Sequence, residues 1–434
     1  MAASPVKDGT RRGEDAHTVN KNTSMEEAEN VDVCSGIRPA ASPEITTWFA
    51  KLFGFVEGHR SFEEVQAAFA VDGSTLYCKE NRQSYNIGDF SCPTLAELRS
   101  LATALSDGSE LRVRHTVTNN VAEDHIAPEN KGALIQAASQ FNCLEMTDAS
   151  VSPEAGITGV MADATQGPAC AVATAPALLY RNYLISVHDG RLGTKKPEGR
   201  GQTARMQLNN CRDLEELLLR KTGQQFWEVR NGYLRSDSAR LQRLSAWLDD
   251  EKLRGELKEQ LRIGVTWNAQ VVSMGSAPGQ CVSQAWCSAV PAGSIGEKCE
   301  GVAPCTHRDW EPLARLVLEA TYEATLLAAI VNRGITGSRK VLLCMVGSGV
   351  FFNRTEWIVD AINAALRSLA STGLGCDVYL NHYQRIDAAI EQAIGIAAPH
   401  RMEVSEWSHN CGGGMLALSM KHSSCKWCGA QRPP

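Results

Sequence analysis

"VLLCMVGSGVFFN", residues 341–353, is the stretch whose reading decides the fold. Six mostly apolar residues read as a buried strand. Gly347, Ser348 and Gly349 interrupt it, Val350, Phe351, Phe352 and Asn353 follow, and a helical pattern begins at 354. Strand, glycine loop and helix in that order is how α/β proteins build anion sites. Glycines let the backbone approach a phosphate, and the free N–H groups of the helix start point at it. The spacing predicts that Asn353 caps the helix and that Glu356 completes a capping box. The loop is not a Walker loop, because the Lys and its following Ser/Thr are missing. Nor is it GxGxxG, since Phe352 stands at the third glycine position. A tight βα turn that holds no ligand is the plainer reading of the same residues.

Working outward, residues 310–332 carry Leu313, Leu316, Val317, Ala320, Ala324, Leu327 and Val331 at helical spacing, and 376–383 reads as another strand. Helix, strand, helix, strand is the rhythm of an α/β layer with a largely parallel sheet. Upstream, 111–117 alternates apolar and polar residues as a half-buried strand does, and 132–139 is a further strand candidate. Gly167 and Pro168 read as an N-cap and N1 pair opening a helix that Pro176 should kink or end. Residues 187–202 read as a surface loop, and the run from 240 to 261 as one amphipathic helix. Strand-like stretches follow at 262–272 and 282–291.

Composition narrows the class. A chain of 434 residues with 43% hydrophobic content can bury a sizeable core. A formal charge of −6 argues against nucleic acid as partner, and no apolar run reaches membrane-span length. The start lacks an apolar targeting core, so residues 1–42 are expected to be a disordered tail and the compartment cytoplasmic or nuclear. Of fifteen cysteines, Cys143, Cys170, Cys344 and Cys376 sit inside apolar segments, where a reduced Cys behaves as a small hydrophobe. "CKWC" at 425–428, with His422 and Cys411 nearby, lacks the second pair that a four-ligand zinc site needs, so no metal is expected. One domain is expected over 43–408, with a helical insertion near 203–260 and a flexible tail over 409–434.

Two more segments bear on the glycine loop. "ALIQAASQFNCLEM" (133–146) runs from a strand through small residues to Asn142, and "DATQGPACA" (163–171) follows. Together with 347–353 they resemble the macrodomain superfamily, whose members bind ADP-ribose. The wording is most similar to a large atypical branch that includes a bacterial effector removing ADP-ribose from arginine of modified ubiquitin. The resemblance covers roughly residues 110–385. It implies a macrodomain-like layered sheet with helices on both faces, and a partner that is ADP-ribose or an ADP-ribosylated protein, ubiquitin among them. It also implies a first ligand element at Ser139, Gln140 and Asn142, a turn at Thr165, Gln166 and Gly167, and a diphosphate loop over Gly347–Asn353. Phe351 or Phe352 would lie against the distal ribose. The family's usual "NAAN" stretch is not intact, and the "GGG…QEE" signature of poly(ADP-ribose) glycohydrolases is absent, so the catalytic residues of those branches do not transfer.

Releasing ADP-ribose breaks a bond at the anomeric carbon of that ribose through a transition state of oxocarbenium character, where a carboxylate is useful. Asp163 is the first choice, standing directly before the "TQGPACA" turn; an Asx-turn role is its structural alternative. Glu145 is the second, beside the first loop. Glu154 reads as solvated. Asn142 and Gln166 suit ribose hydroxyls, yet either amide could bond neighbouring backbone instead. The aromatic stretch 226–233 reads as packing, or as a wall for adenine or a protein partner. The expected activity is ADP-ribosyl hydrolysis from protein side chains, arginine among them, with no nicotinamide cofactor. The alternatives are a non-catalytic ADP-ribose reader and an unrelated α/β nucleotide enzyme.

Overall fold

The computed structural model describes residues 43–193, 200–293 and 305–395. The expected N-terminal tail and the "CKWC" segment lie outside the described residues.

Seven strands form the central sheet: β1 (Asp89–Ser91), β2 (Arg112–Thr118), β3 (Leu134–Ala138), β4 (Gly264–Gln270), β5 (Cys281–Cys287), β6 (Lys340–Leu343) and β7 (Asp377–Tyr383). Their order is β1-β4-β5-β3-β6-β7-β2. β5, β3, β6, β7 and β2 run parallel; β4 lies antiparallel to both β5 and β1. Strands covered on both faces read as near-continuous apolar runs, and β3 and β6 do so for that reason. In β3, Leu134 packs on one side with Val341, Leu343, Val378 and Leu380, while Ile135 and Ala137 pack on the other with Leu342 and Trp286.

The first of those faces is covered by α3 (His307–Thr336) and α4 (Thr355–Thr372), the second by α1 (Gln166–Ala173) and α2 (Ala175–Tyr183). The layered α/β arrangement is therefore the one the periodicity predicts. α3 opens on a Thr306–Asp309 capping box and closes on Gly337 at φ +79°, the left-handed conformation that glycine adopts without a Cβ penalty. Between 203 and 260 lie the helices Arg212–Thr222, Ser238–Leu248 and Glu251–Gln260 and the hairpin Glu228–Arg230 with Tyr233–Arg235. Their inward leucines, Leu214, Leu218, Leu241, Leu244, Leu248, Leu253 and Leu257, join the α3 core. Among the described residues no helix is long and apolar enough to cross a membrane.

Four local expectations need correction. The run 240–261 is two helices, because Asp250 accepts from Lys252 N (2.9 Å) and Leu253 N (3.2 Å) and so starts a second one. Residues 187–193 form a short hairpin, Val187–His188 with Arg191–Leu192, rather than open loop. α1 begins at Gln166 with Thr165 at the N-cap, so Gly167 and Pro168 lie inside its first turn. Finally, α4 is preceded by Arg354 in extended conformation with no side-chain cap. Asn353 instead turns inward, where its amide donates to Val290 O at 2.8 Å.

Candidate active site

β3 lies between β5 and β6, and all three end on the same edge of the sheet. From β3 the chain runs through a long connection to α1, which covers one face. From β6 it runs through 344–354 to α4, on the opposite face. In open α/β sheets the crevice outside the carboxyl ends, where connections part to opposite faces, is where ligands bind.

The loop after β6 is held from behind. Tyr322 Oη donates to Cys344 O (2.8 Å) and accepts from Val346 N (2.9 Å). Gly347 has φ +81°, and a Cβ there would stand 2.6 Å from Ala289 Cβ, so both conformation and space require glycine. Asn353 N bonds Gly347 O (2.9 Å), closing the loop on itself, and Ala292 N bonds Phe351 O (2.9 Å). Phe351 is buried with its ring edge-on to Tyr233 at 5.8 Å. Phe352, at φ +53°, is half exposed over Gly293, where an added Cβ would lie 2.4 Å from the ring; its carbonyl meets His307 Nε2 at 2.9 Å. What remains open is Ser348, Gly349 and Val350, with no atom of the other described residues beyond its chain neighbours within 4 Å of a Cβ built on Gly349.

The first loop uses its amides internally. Gln166 accepts from Ala138 N (2.7 Å) and donates to Gln136 O (2.8 Å), extending the end of β3 with side-chain bonds. Gln140 bonds both the N–H and the carbonyl of Met146. Asn142 accepts from Leu144 N (3.0 Å) and donates to Gln207 (2.9 Å). Of the two roles open to these amides, neighbouring backbone takes most of their capacity. Ser139 is buried at the mouth of β3 and Thr165 is exposed. Cys143, at φ +58°, kinks the chain, and the fully buried Arg181 donates Nε–H to its carbonyl at 3.0 Å.

Two residues on, Glu145 is buried. The residue is 3% exposed, and its Oε1 has no hydrogen-bond partner among the described residues. Burial holds its pKa well above the usual carboxylate value. The Ser139 hydroxyl and the Arg181 charge oppose that shift, and the Asp163 charge adds to it. Gly167 lies so close that a Cβ there would fall 2.5 Å from Glu145 Oε2 and 1.9 Å from Ala138 O. Asp163 is half-buried and accepts from Thr165 N (2.8 Å), the Asx-turn geometry. The charges of Glu145 and Asp163 also push up the Tyr233 phenol, after burial, so the three groups share one neighbourhood. Glu154 stands apart and binds Ala204 N. A buried carboxyl whose pKa is raised, beside a more exposed one, is a pattern that serves acid–base chemistry.

The residues that the sequence reading missed are the supporting ones: Tyr322, Gln136, Arg181 and Gly293. The aromatic stretch 226–233 was the available signal for Tyr233. Among the described residues no group of three or more His, Cys, Asp or Glu is placed to hold a metal ion, and the ten described cysteines are free.

No family model and no curated protein matches the chain. Among solved structures, a point mutant of poly(ADP-ribose) glycohydrolase from Deinococcus radiodurans in complex with ADP-ribose is similar over 71% of this chain and 94% of its own, at 11% identity and TM-score 0.36. The apo form of the Deinococcus radiodurans enzyme is similar over 71% and 91%, at 10% identity and TM-score 0.34. The poly(ADP-ribose) glycohydrolase of Thermomonospora curvata is similar over 77% and 95%, at 12% identity and TM-score 0.33. Likenesses this loose do not match one site residue to another.

Proposed function

We propose that the chain binds ADP-ribose across the carboxyl ends of β3, β5 and β6 and hydrolyses the bond joining it to a protein side chain. One observation carries the reading: a buried carboxyl with an unpartnered oxygen, Glu145, lies beside the first turn of α1, on the sheet edge where the open glycine loop 348–350 also stands. In this reading the diphosphate lies on the backbone of 347–350 and the distal ribose near Phe351 and Tyr233. Glu145 gives its proton to the departing side-chain atom as the bond to the anomeric carbon breaks. Water adds to that carbon and loses its proton to Asp163, whose charge also steadies the oxocarbenium-like centre.

Calorimetry with free ADP-ribose tests the binding. Incubation with mono-ADP-ribosylated arginine, glutamate and serine substrates tests the reaction. The sequence resemblance makes arginine the first linkage to try and ubiquitin the first carrier. A non-catalytic reader is the second reading, favoured by the engagement of Asp163 with Thr165 N. Tight binding with no release on any of the three linkages would select it.

A further inference from the structure

Sixteen positions of chain, 147–162, separate Met146 from Asp163, and their regular structure is limited to two 3-10 turns, Pro153–Ala155 and Thr158–Ala162. A connection that long keeps one conformation only if other elements hold it. Asn231 donates to Ala149 O (2.7 Å) and Asn182 to Pro153 O (3.1 Å). The hold nearest Asp163 comes from Trp48 and Glu57. Glu57, 5% exposed, accepts from Ile157 N (2.9 Å) and Tyr183 Oη (2.9 Å) through Oε1, and from Thr158 N (2.6 Å) through Oε2. Trp48 Nε1 donates to Thr158 O at 3.0 Å. Gly156, at φ +81°, brings the backbone so near that a Cβ would stand 2.6 Å from the Glu57 carboxyl carbon. The carboxylate therefore fills the N-terminal end of the second 3-10 turn, and Asp163 is the residue that closes this turn, with its N–H on Val160 O (3.2 Å).

We infer that Glu57 is a positioning residue for the reaction proposed above: it fixes the turn whose far end sets the Asp163 carboxylate. The inference rests on that reading. A carboxylate is needed because both of its oxygens must accept. Glutamine offers one acceptor and presents an NH2 to a backbone N–H, so Glu57→Gln frees one end of the turn without changing side-chain size. A displacement of about 1 Å at a reacting group is enough to cost about 10²-fold in rate, whereas among the described residues the loop at 347–353 makes no hydrogen bond to this turn.

The experiment compares the full chain with its Glu57→Gln and Trp48→Phe variants. It reads calorimetric affinity for ADP-ribose, single-turnover release from the linkage that the wild type cleaves, and amide exchange over 156–163. The expected result for Glu57→Gln is affinity within about twofold, release slower by about tenfold or more, and faster exchange at Ile157 and Thr158. Trp48→Phe removes one bond and should show the same pattern, weaker; it carries the test if Glu57→Gln does not fold. A wild type that neither binds nor cleaves overturns the proposed function and this inference with it. An active wild type and a folded variant cleaving within about threefold of it overturn this inference alone, as would equal losses in affinity and rate.

Discussion

Replacing Gly349 with valine separates what the fold needs from what a ligand needs. Among the described residues, no atom beyond its chain neighbours lies within 4 Å of a built Cβ, and its φ lies outside the left-handed region. Valine there meets none of the other described residues, so stability should stay within about 0.5 kcal/mol, as for a surface change away from special features. With roughly 2.1 cal/mol/K per residue of unfolding entropy, over the span 43–395, that is a Tm change of about 1 °C or less. The loss appears only when a phosphate must approach the backbone. Affinity for ADP-ribose, measured by calorimetry, should fall at least about tenfold, roughly 1.4 kcal/mol. Gly347→Val is the contrast. It forces a β-branched residue to φ +81° and drives Cβ to 2.6 Å from Ala289 Cβ and 2.8 Å from Asn353 Nδ2. Its first effect should be destabilisation, about 1–3 kcal/mol. A folded Gly349→Val chain with wild-type affinity would remove the loop from the site.

Two further outcomes follow from the first loop. Gly167→Ala puts Cβ at 1.9 Å from Ala138 O, 1.5 Å inside the 3.4 Å at which ordinary contact begins. It should cost about 1–3 kcal/mol in urea unfolding and disturb Glu145; unchanged stability would show that α1 is not packed on β3 as described. Asp163→Asn keeps an acceptor for Thr165 N, and Asn and Asp are near-equal in that role, so folding and ADP-ribose affinity should survive while hydrolysis falls about 10²-fold. Turnover within about threefold of wild type would leave Asp163 with the turn alone.

The sheet was legible because buried parallel strands such as 341–343 and 134–138 leave apolar runs bounded by turn signals, and the α3 periodicity is long enough to be unambiguous. The placing of the glycine loop at a strand end followed from the same pattern. Capping was not legible. Asn353 has the right residue type before α4, but its amide is more use inside, where Val290 O, Gly347 O and Phe351 O would otherwise lack that donor. Nor could the sequence separate Gln140, Asn142 and Gln166 as ligand groups from the same residues as braces, since an amide serves either end and only the neighbouring backbone decides. Glu57 and Tyr322 act on segments far from them in sequence, and neither the 3.6 nor the 2.0 period reports such pairings.

With the amides engaged within the protein, the proposed reaction assigns its chemistry to the carboxyls, whose surroundings differ. Arg181 does not neutralise Glu145. The guanidinium lies 3.8 Å over the Trp286 ring and bonds Cys143 O, and burial lowers its own pKa to about 10. Burial therefore dominates at Glu145, whose pKa stands well above 4.5 in the folded chain. A raised carboxyl stabilises the fold fully below its unfolded pKa, and that contribution fades as pH rises toward the folded value, at up to about 1.4 kcal/mol per pH unit. Glu145→Gln carries no such proton. Measured by urea unfolding, its stability relative to wild type should climb steadily from about pH 4.5 upward. In the proposed reaction the same proton would set the alkaline limb of hydrolysis, because a general acid is lost as pH passes its pKa. In the wild type, release should fall on that limb; in Glu145→Gln it should be slower throughout, and the limb should flatten. Unfolding curves that stay parallel across pH would mean that Glu145 is ionised in the folded chain. The proton donor of the reaction would then have to be sought elsewhere.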